Sequence, residues 1–235
     1  MILTGRRFLA KRPVSVVVVV FVAVVASTLA HVRVVQSLLV TTQATQNAEL
    51  LTGTVAEFRT VYMSEVLERL RPAGVEITHD YFLQDGAIPL PATLSMMLGN
   101  RIGAPGSGAE SRLYRAYPFP WAEESGGLTD EFAREALTLN PEEPFYRFET
   151  MGERDVLRYA TADLMRPACV DCHNTHPDSP KVDWKVGDVR GVLEVITPLD
   201  VPLEATRSGL VDTAVLMSIL AGIGVAAFGL LLSDL

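Results

Sequence analysis

The amino-acid sequence predicts an α+β domain held between two apolar segments. Three observations carry this. Apolar residues between 41 and 70 recur at helical spacing, and the segments beyond residue 145 read as β-strands. Near each end lies an uncharged stretch of about the length that crosses a bilayer. The 235 residues therefore divide into 1–40, 41–208 and 209–235. The middle segment has room for one domain and shows no internal repeat or low-complexity tract.

Each element has its own local signal. Residues 14–30 form an uncharged apolar run of 17 residues, with five consecutive valines at 16–20. At about 1.5 Å per residue the run reaches roughly 25 Å, the short end of a membrane span. Arg6, Arg7, Lys11 and Arg12 precede it, so the N-terminus is expected on the cytoplasmic side. A cleaved signal peptide competes, with Thr28-Leu29-Ala30 as a small-residue cleavage site. The run exceeds the usual apolar core of such a peptide, which favours an uncleaved anchor. Beyond it, Leu51, Val55, Phe58, Tyr62, Val66 and Leu70 mark a long amphipathic helix that can continue directly from the first span, and Pro72 and Gly74 stop it. Residues 92–102 read as a short helix ended by Gly103 and Pro105, and 129–139 as a third, capped by Thr129 or Asp130. The stretches 103–108 and 118–127 are loop-like.

Residues 145–150 and 156–162 are β-rich and separated by Gly152-Glu153-Arg154-Asp155, a hairpin signal. A third strand at 189–197 puts Val189, Gly191, Leu193, Val195 and Thr197 on one face. Helices followed by antiparallel strands predict helices on one side of a small sheet. Residues 213–232 are a second uncharged stretch, 20 residues long, expected as the second transmembrane helix. Ser218, Gly222 and Ala226 give it a stripe of small residues suited to helix packing, which makes a homodimer one candidate assembly. Only Ser233, Asp234 and Leu235 follow, so both termini are expected in the cytoplasm with no domain there.

Charge and cysteine content exclude several classes. Residues 40–208 hold 26 acidic and 15 basic groups, a net −11, within a chain of net −8. Nucleic-acid binding needs clustered Lys and Arg, so no nucleic-acid partner is expected. Two cysteines exclude a disulfide-dense scaffold and a cluster built on four thiolates. No Walker loop, nucleophile–base triad or carboxylate pair stands out, so the chain is not expected to be an enzyme.

The chemistry concentrates at Cys169-Val170-Asp171-Cys172-His173, the Cys-x-x-Cys-His pattern of c-type haem attachment. Two thiols three positions apart on a tight turn reach the two vinyl groups on one porphyrin edge, and the adjoining imidazole is held as proximal iron ligand. Cys169 and Cys172 are thus the expected attachment residues, His173 the expected ligand, and one covalent haem c the expected cofactor. A thioredoxin-like dithiol expects a βαβ context that is missing here. A zinc site from Cys169, Cys172 and His176 lacks a second ligand pair at finger-like spacing. A disulfide between Cys169 and Cys172 closes only a small, strained loop.

Three stretches, Ile88-Pro89-Leu90-Pro91-Ala92-Thr93, Tyr117-Pro118-Phe119-Pro120-Trp121 and residues 169–191, resemble the bacterial periplasmic haem-c-binding domain with a PAS-like fold, known from cyanobacteria and from the N-terminal regions of membrane receptors. The resemblance covers roughly residues 45–200. It implies a PAS-like antiparallel sheet with a long N-terminal helix and one covalent haem. It also implies attachment at Cys169 and Cys172, with His173 as axial ligand. Together with the two spans it implies a bacterial inner-membrane protein with its main domain in the periplasm. In receptors such a domain lies between two spans and feeds a cyclase, kinase or similar output. A chain ending at Leu235 departs from that pattern.

The sixth iron position has to be filled by His, Met or another donor, or left open, because no third cysteine exists. His79 is the first candidate for a distal ligand, with Met63, Met96 and Met97 as alternatives; His176 stands too close to His173 to cross the ring. Arg166, Lys181, Lys185 and Trp184 are candidate neighbours of the haem propionates. Tyr114, Tyr117, Phe119 and Trp121 either wall the haem pocket or plug the end of the core. The function expected is electron transfer by a membrane-anchored periplasmic monohaem protein. Its expected partners are membrane lipid and a membrane complex or redox protein with a basic patch. The alternative is a haem-based redox or gas sensor signalling through its transmembrane helices.

Overall fold

The computed structural model describes residues 13–103, 109–122 and 130–233. Arg6, Arg7, Lys11 and Arg12, residues 104–108 and 123–129 including Thr129, and Asp234 and Leu235 lie outside the described residues. Gln43–Asp200 forms one unit, and the terminal segments Met1–Thr42 and Val201–Leu235 form the other.

Helix α1 (Pro13–Val61) is one unbroken helix of 49 residues. It continues as a π-helical turn at Tyr62–Leu67 and one α-helical turn at Glu68–Leu70, and closes in a 3-10 turn at Arg71–Ala73. The stop comes at the expected residues. Pro72 cannot donate to the helix, and Gly74 takes the left-handed conformation (φ 73°) that ends it. The buried face is in part the expected one, since Val55 and Tyr62 are buried, but it is rotated toward smaller residues. Ala44, Ala48, Thr52, Val55 and Arg59 are buried in steps of three and four, while Leu51 and Phe58 lie half-buried at its edge. Small side chains let the helix backbone approach the sheet closely, so the core stripe here is Ala/Thr-rich and less apolar than its flank.

Two-residue strands β1 (Ile77–Thr78) and β2 (Ile88–Pro89) pair in parallel and lead into α2 (Pro91–Gly103). The main sheet has four antiparallel strands in the order β3-β6-β5-β4, from β3 (Glu110–Arg115), β4 (Phe145–Met151), β5 (Arg154–Leu164) and β6 (Val189–Pro198). The hairpin falls where it was expected, with a tighter turn: Gly152 takes φ 64°, and Arg154 and Asp155 already belong to β5. Strand β3 was not expected.

The sheet is covered on both faces, which corrects the one-sided arrangement read from the sequence. Ala44 and Ala48 of α1 pack on Leu157, Tyr159 and Leu199. Helix α3 (Glu131–Leu139) packs Ala133 and Leu137 on Tyr114, Ala160 and Val192, which lie on the opposite face. Asp130 caps α3 by accepting from the Ala133 amide at 3.1 Å. Two-sided burial explains why β6 is buried at consecutive positions instead of alternating. It also buries Glu194, whose carboxylate is held by Arg158 at 2.6 Å.

The motif segment forms α4 (Pro167–Thr175), and α5 (Asp200–Ser233) ends the chain's described part. Helix α5 starts at Asp200, ahead of the expected 208/209 boundary. Among the described residues two helices are long and apolar enough to cross a membrane, and neither buries its apolar window.

Candidate functional site

Cys169, Cys172 and His173 lie on α4, not on the tight turn expected for them. Pro167 sits in the first turn, where its missing N–H costs nothing, and Arg166 is the extended cap residue. Positions i, i+3 and i+4 of a helix share one face, so the two thiols and the imidazole project together.

Cys169 meets the π-turn of the long helix. Its Sγ lies 3.9 Å from Met63 Sδ, within an apolar cluster of Tyr62, Met63 and Leu67 that Ile77, Ile88 and Leu94 extend. The Tyr62 hydroxyl donates to the Pro89 carbonyl at 2.9 Å, which ties this turn to the 88–93 motif. Single π-turns within helices recur at functional sites, because the extra residue rotates the side chains that follow. Both thiols are free, and burial pushes the Cys172 thiol up while Arg71 opposes that shift.

His173 Nε2 lies 3.3 Å from Arg190 Nη1. An arginine only donates, so this nitrogen acts as the acceptor. Burial first, then the Arg190 charge, pushes the imidazole pKa down to about 4, leaving it neutral at pH 7. Phe119 stands 5.0 Å away, and the stack continues through Trp121 (4.6 Å) to His79 (4.4 Å). His79 and His173 are thus the two ends of a four-ring series and are not brought together. His176 faces Phe119 and Trp121. Met97 accepts from the Tyr81 hydroxyl at 3.3 Å. Of the distal candidates, Met63 is the one placed against the motif.

Of the residues proposed for propionates, Lys181 and Trp184 have other partners, and Lys185 is bonded through its backbone. Lys181 pairs with Asp183 and lies over the Tyr117 and Trp184 rings. Trp184 is buried, with its backbone bonded to the Asn174 side chain through both N–H and C=O. Lys185 donates its amide to Asp188. These contacts shape the loop after α4. A charged group that sequence reading missed lies beside His173: Arg59, Arg115 and Arg190 surround Asp163. Arg59 Nη1 donates to Asp163 at 2.9 Å and Arg190 Nε lies 3.4 Å from it. The one sequence-level hint was Arg59 itself, a charge on a buried helical stripe.

These donors fit a covalently held haem: two unpaired thiols and a neutral imidazole on one helix face, against an apolar wall. No group of three His, Cys, Asp or Glu suited to a metal ion occurs among the described residues, so the zinc arrangement is not assembled there.

Residues 36–198 match the family described as Tll0287-like. The chain belongs to the Tll0287-like family. That family is named after a cyanobacterial protein. The matched span of this Tll0287-like chain includes the 88–93 and 117–121 segments, the motif helix and all four strands of the main sheet. No curated protein and no solved structure matches the chain.

Proposed function

We propose that this Tll0287-like protein is a membrane-anchored monohaem c-type protein that transfers electrons. In this reading a PAS-like domain stands on the periplasmic side of a bacterial inner membrane, between two transmembrane helices. The supporting observation is the presentation of two free thiols and a neutral imidazole from one face of α4. A bound haem supplies a one-electron couple at its iron. Cys169 and Cys172 would tether it by thioether bonds, and His173 would offer Nε2, the nitrogen that faces Arg190. Met63 is the donor in place on the side of Cys169. The wall of Tyr62, Leu67, Ile77, Ile88 and Leu94 keeps water from that face.

The test is absorbance of the purified full chain. A Soret band and a pyridine haemochrome that resists acid-acetone extraction are expected, and a colourless protein, or one whose haem extracts, overturns the reading. A sensory role is the second reading, favoured by one observation: α1 is unbroken up to the turn that holds Met63 against Cys169. Gas binding at an open iron supports sensing; a six-coordinate haem with a rapid, reversible potential supports electron transfer.

A further inference from the structure

The cluster around Asp163 carries more positive charge than its partners balance. Three guanidinium groups share one carboxylate: Arg59 and Arg190 contact Asp163, and Arg115 feels all three. The group is nearly closed to water, with side-chain exposures of 4% for Arg59, 6% for Asp163 and 10% for Arg190. A buried charge without a counter-charge costs several kcal/mol, and proteins neutralise or pair such groups. The Nε atoms of Arg59, Arg115 and Arg190 are all buried without a hydrogen-bond partner.

Sheet register explains how the charges come together. Asp163 and Arg115 are both cross-strand partners of Gly191, one on each side. Gly191 has no side chain, which lets β3 pass close to β6 between the acid and the base. A Cβ there would come within 2.5 Å of the Tyr114 carbonyl. On the Asp163 side lies a cavity of about 330 Å³, lined by Arg59, Asp163, Arg166 and Pro167 among others, but not by Arg115 or Arg190. Arg166 brings a further positive charge, which also acts on Asp163.

We propose that Arg59, Arg115 and Arg190, with Asp163, form an anion site that takes a pair of carboxylates. Guanidinium groups bind carboxylates through paired N–H donors, and the Nε atoms that make no hydrogen bond are such donors. Even without Arg166, the three arginines exceed Asp163 by two positive charges, enough to hold two carboxylates. The pair comes from the propionates of a haem on the neighbouring α4 or from a free dicarboxylate; the haem source rests on the function proposed above, and the free source does not.

The test uses the detergent-solubilised full chain in two forms, with haem attached and as the Cys169→Ser/Cys172→Ser double variant. Malonate is the probe. In the haem-free form malonate is expected to raise the melting temperature, and Arg115→Gln is expected to weaken its binding by about tenfold, the size of one charge-assisted hydrogen bond. If propionates are the source, malonate leaves the haem-loaded chain unchanged. Arg115→Gln then lowers its midpoint potential by removing positive charge, and Arg115→Lys restores it. If a free dicarboxylate is the source, malonate stabilises the haem-loaded chain as well and the potential does not move. Should the double variant fail to fold, the potentials of Arg115→Gln and Arg115→Lys and the malonate response of the haem-loaded chain carry the test. A potential indifferent to Arg115→Gln, together with no malonate response in any folded form, overturns the site. A chain that never attaches haem but responds to malonate keeps the anion site and removes the proposed function.

Discussion

In the proposed function Cys169, Cys172 and His173 divide the work of holding one haem, and their variants are expected to separate it. Cys169→Ala and Cys172→Ala should each greatly reduce haem that survives acid-acetone extraction. His173→Ala should keep attached haem with an altered ferric spectrum. A normal spectrum in purified His173→Ala would remove the assigned ligand. Met63 lies against Cys169, while His79 is separated from His173 by Trp121 and Phe119. Met63→Leu is therefore expected to change the ferric and ferrous spectra and His79→Ala to leave both unchanged; the reverse pattern would restore His79 as the distal ligand.

Asp163 gives a second test at this scale, through pH. Burial alone would raise its carboxyl pKa, yet Arg190 and Arg59 prevail and hold it below the ordinary aspartate value. A carboxyl with a depressed folded pKa stabilises the fold above its unfolded pKa of about 3.9 and loses that contribution as pH falls through the folded value. Asp163→Asn is expected to cost about 3–5 kcal/mol at pH 7, the range for breaking a buried ion pair. Denaturant unfolding should show the difference from the natural chain narrowing as pH drops below about 4.

Among the elements, β6 bears the tightest constraint. Its Gly191 faces Tyr114 and Arg115 on β3, and a methyl group there meets a backbone carbonyl that cannot rotate away. Gly191→Ala is expected to destabilise by about 1–3 kcal/mol, the usual cost of overpacking, with loosened β3–β6 pairing. Hydrogen exchange at Leu113 and Leu193 amides reads that directly, and unchanged protection would refute it. Much of this architecture was legible locally. The long helix stops at Pro72 and Gly74, α3 starts at Asp130, and Gly152 turns the hairpin, because each stop or start needs a residue of a particular backbone preference. Strand β3 was not legible. Glu110, Arg112 and Arg115 make it read as a polar connector, and pairing with β6, some eighty positions later, is what makes it a strand.

For the whole molecule, the net −11 of residues 40–208 bears on encounter. Acidic surfaces speed association with basic partners, and salt screens the attraction over a Debye length of about 8 Å at physiological ionic strength. Stopped-flow oxidation of the reduced haem-loaded chain is expected to be faster with a basic soluble cytochrome than with an acidic one, and the basic reaction should slow as salt rises. Equal rates that ignore ionic strength would place the partner contact in the membrane helices instead.

The sequence by itself determined the Cys-x-x-Cys-His pattern, the apolar helices and most helix and turn boundaries, since these depend on residues within a few positions of one another. Tertiary structure alone decided which face of α1 is buried, that both sheet faces are covered, and what surrounds the motif. Met63 and Cys169 meet across 106 positions, and Arg59 and Asp163 across 104. No local pattern records that three arginines from α1, β3 and β6 converge on one aspartate of β5. Only strand register and helix docking bring them within reach, and only burial makes their unbalanced charge matter.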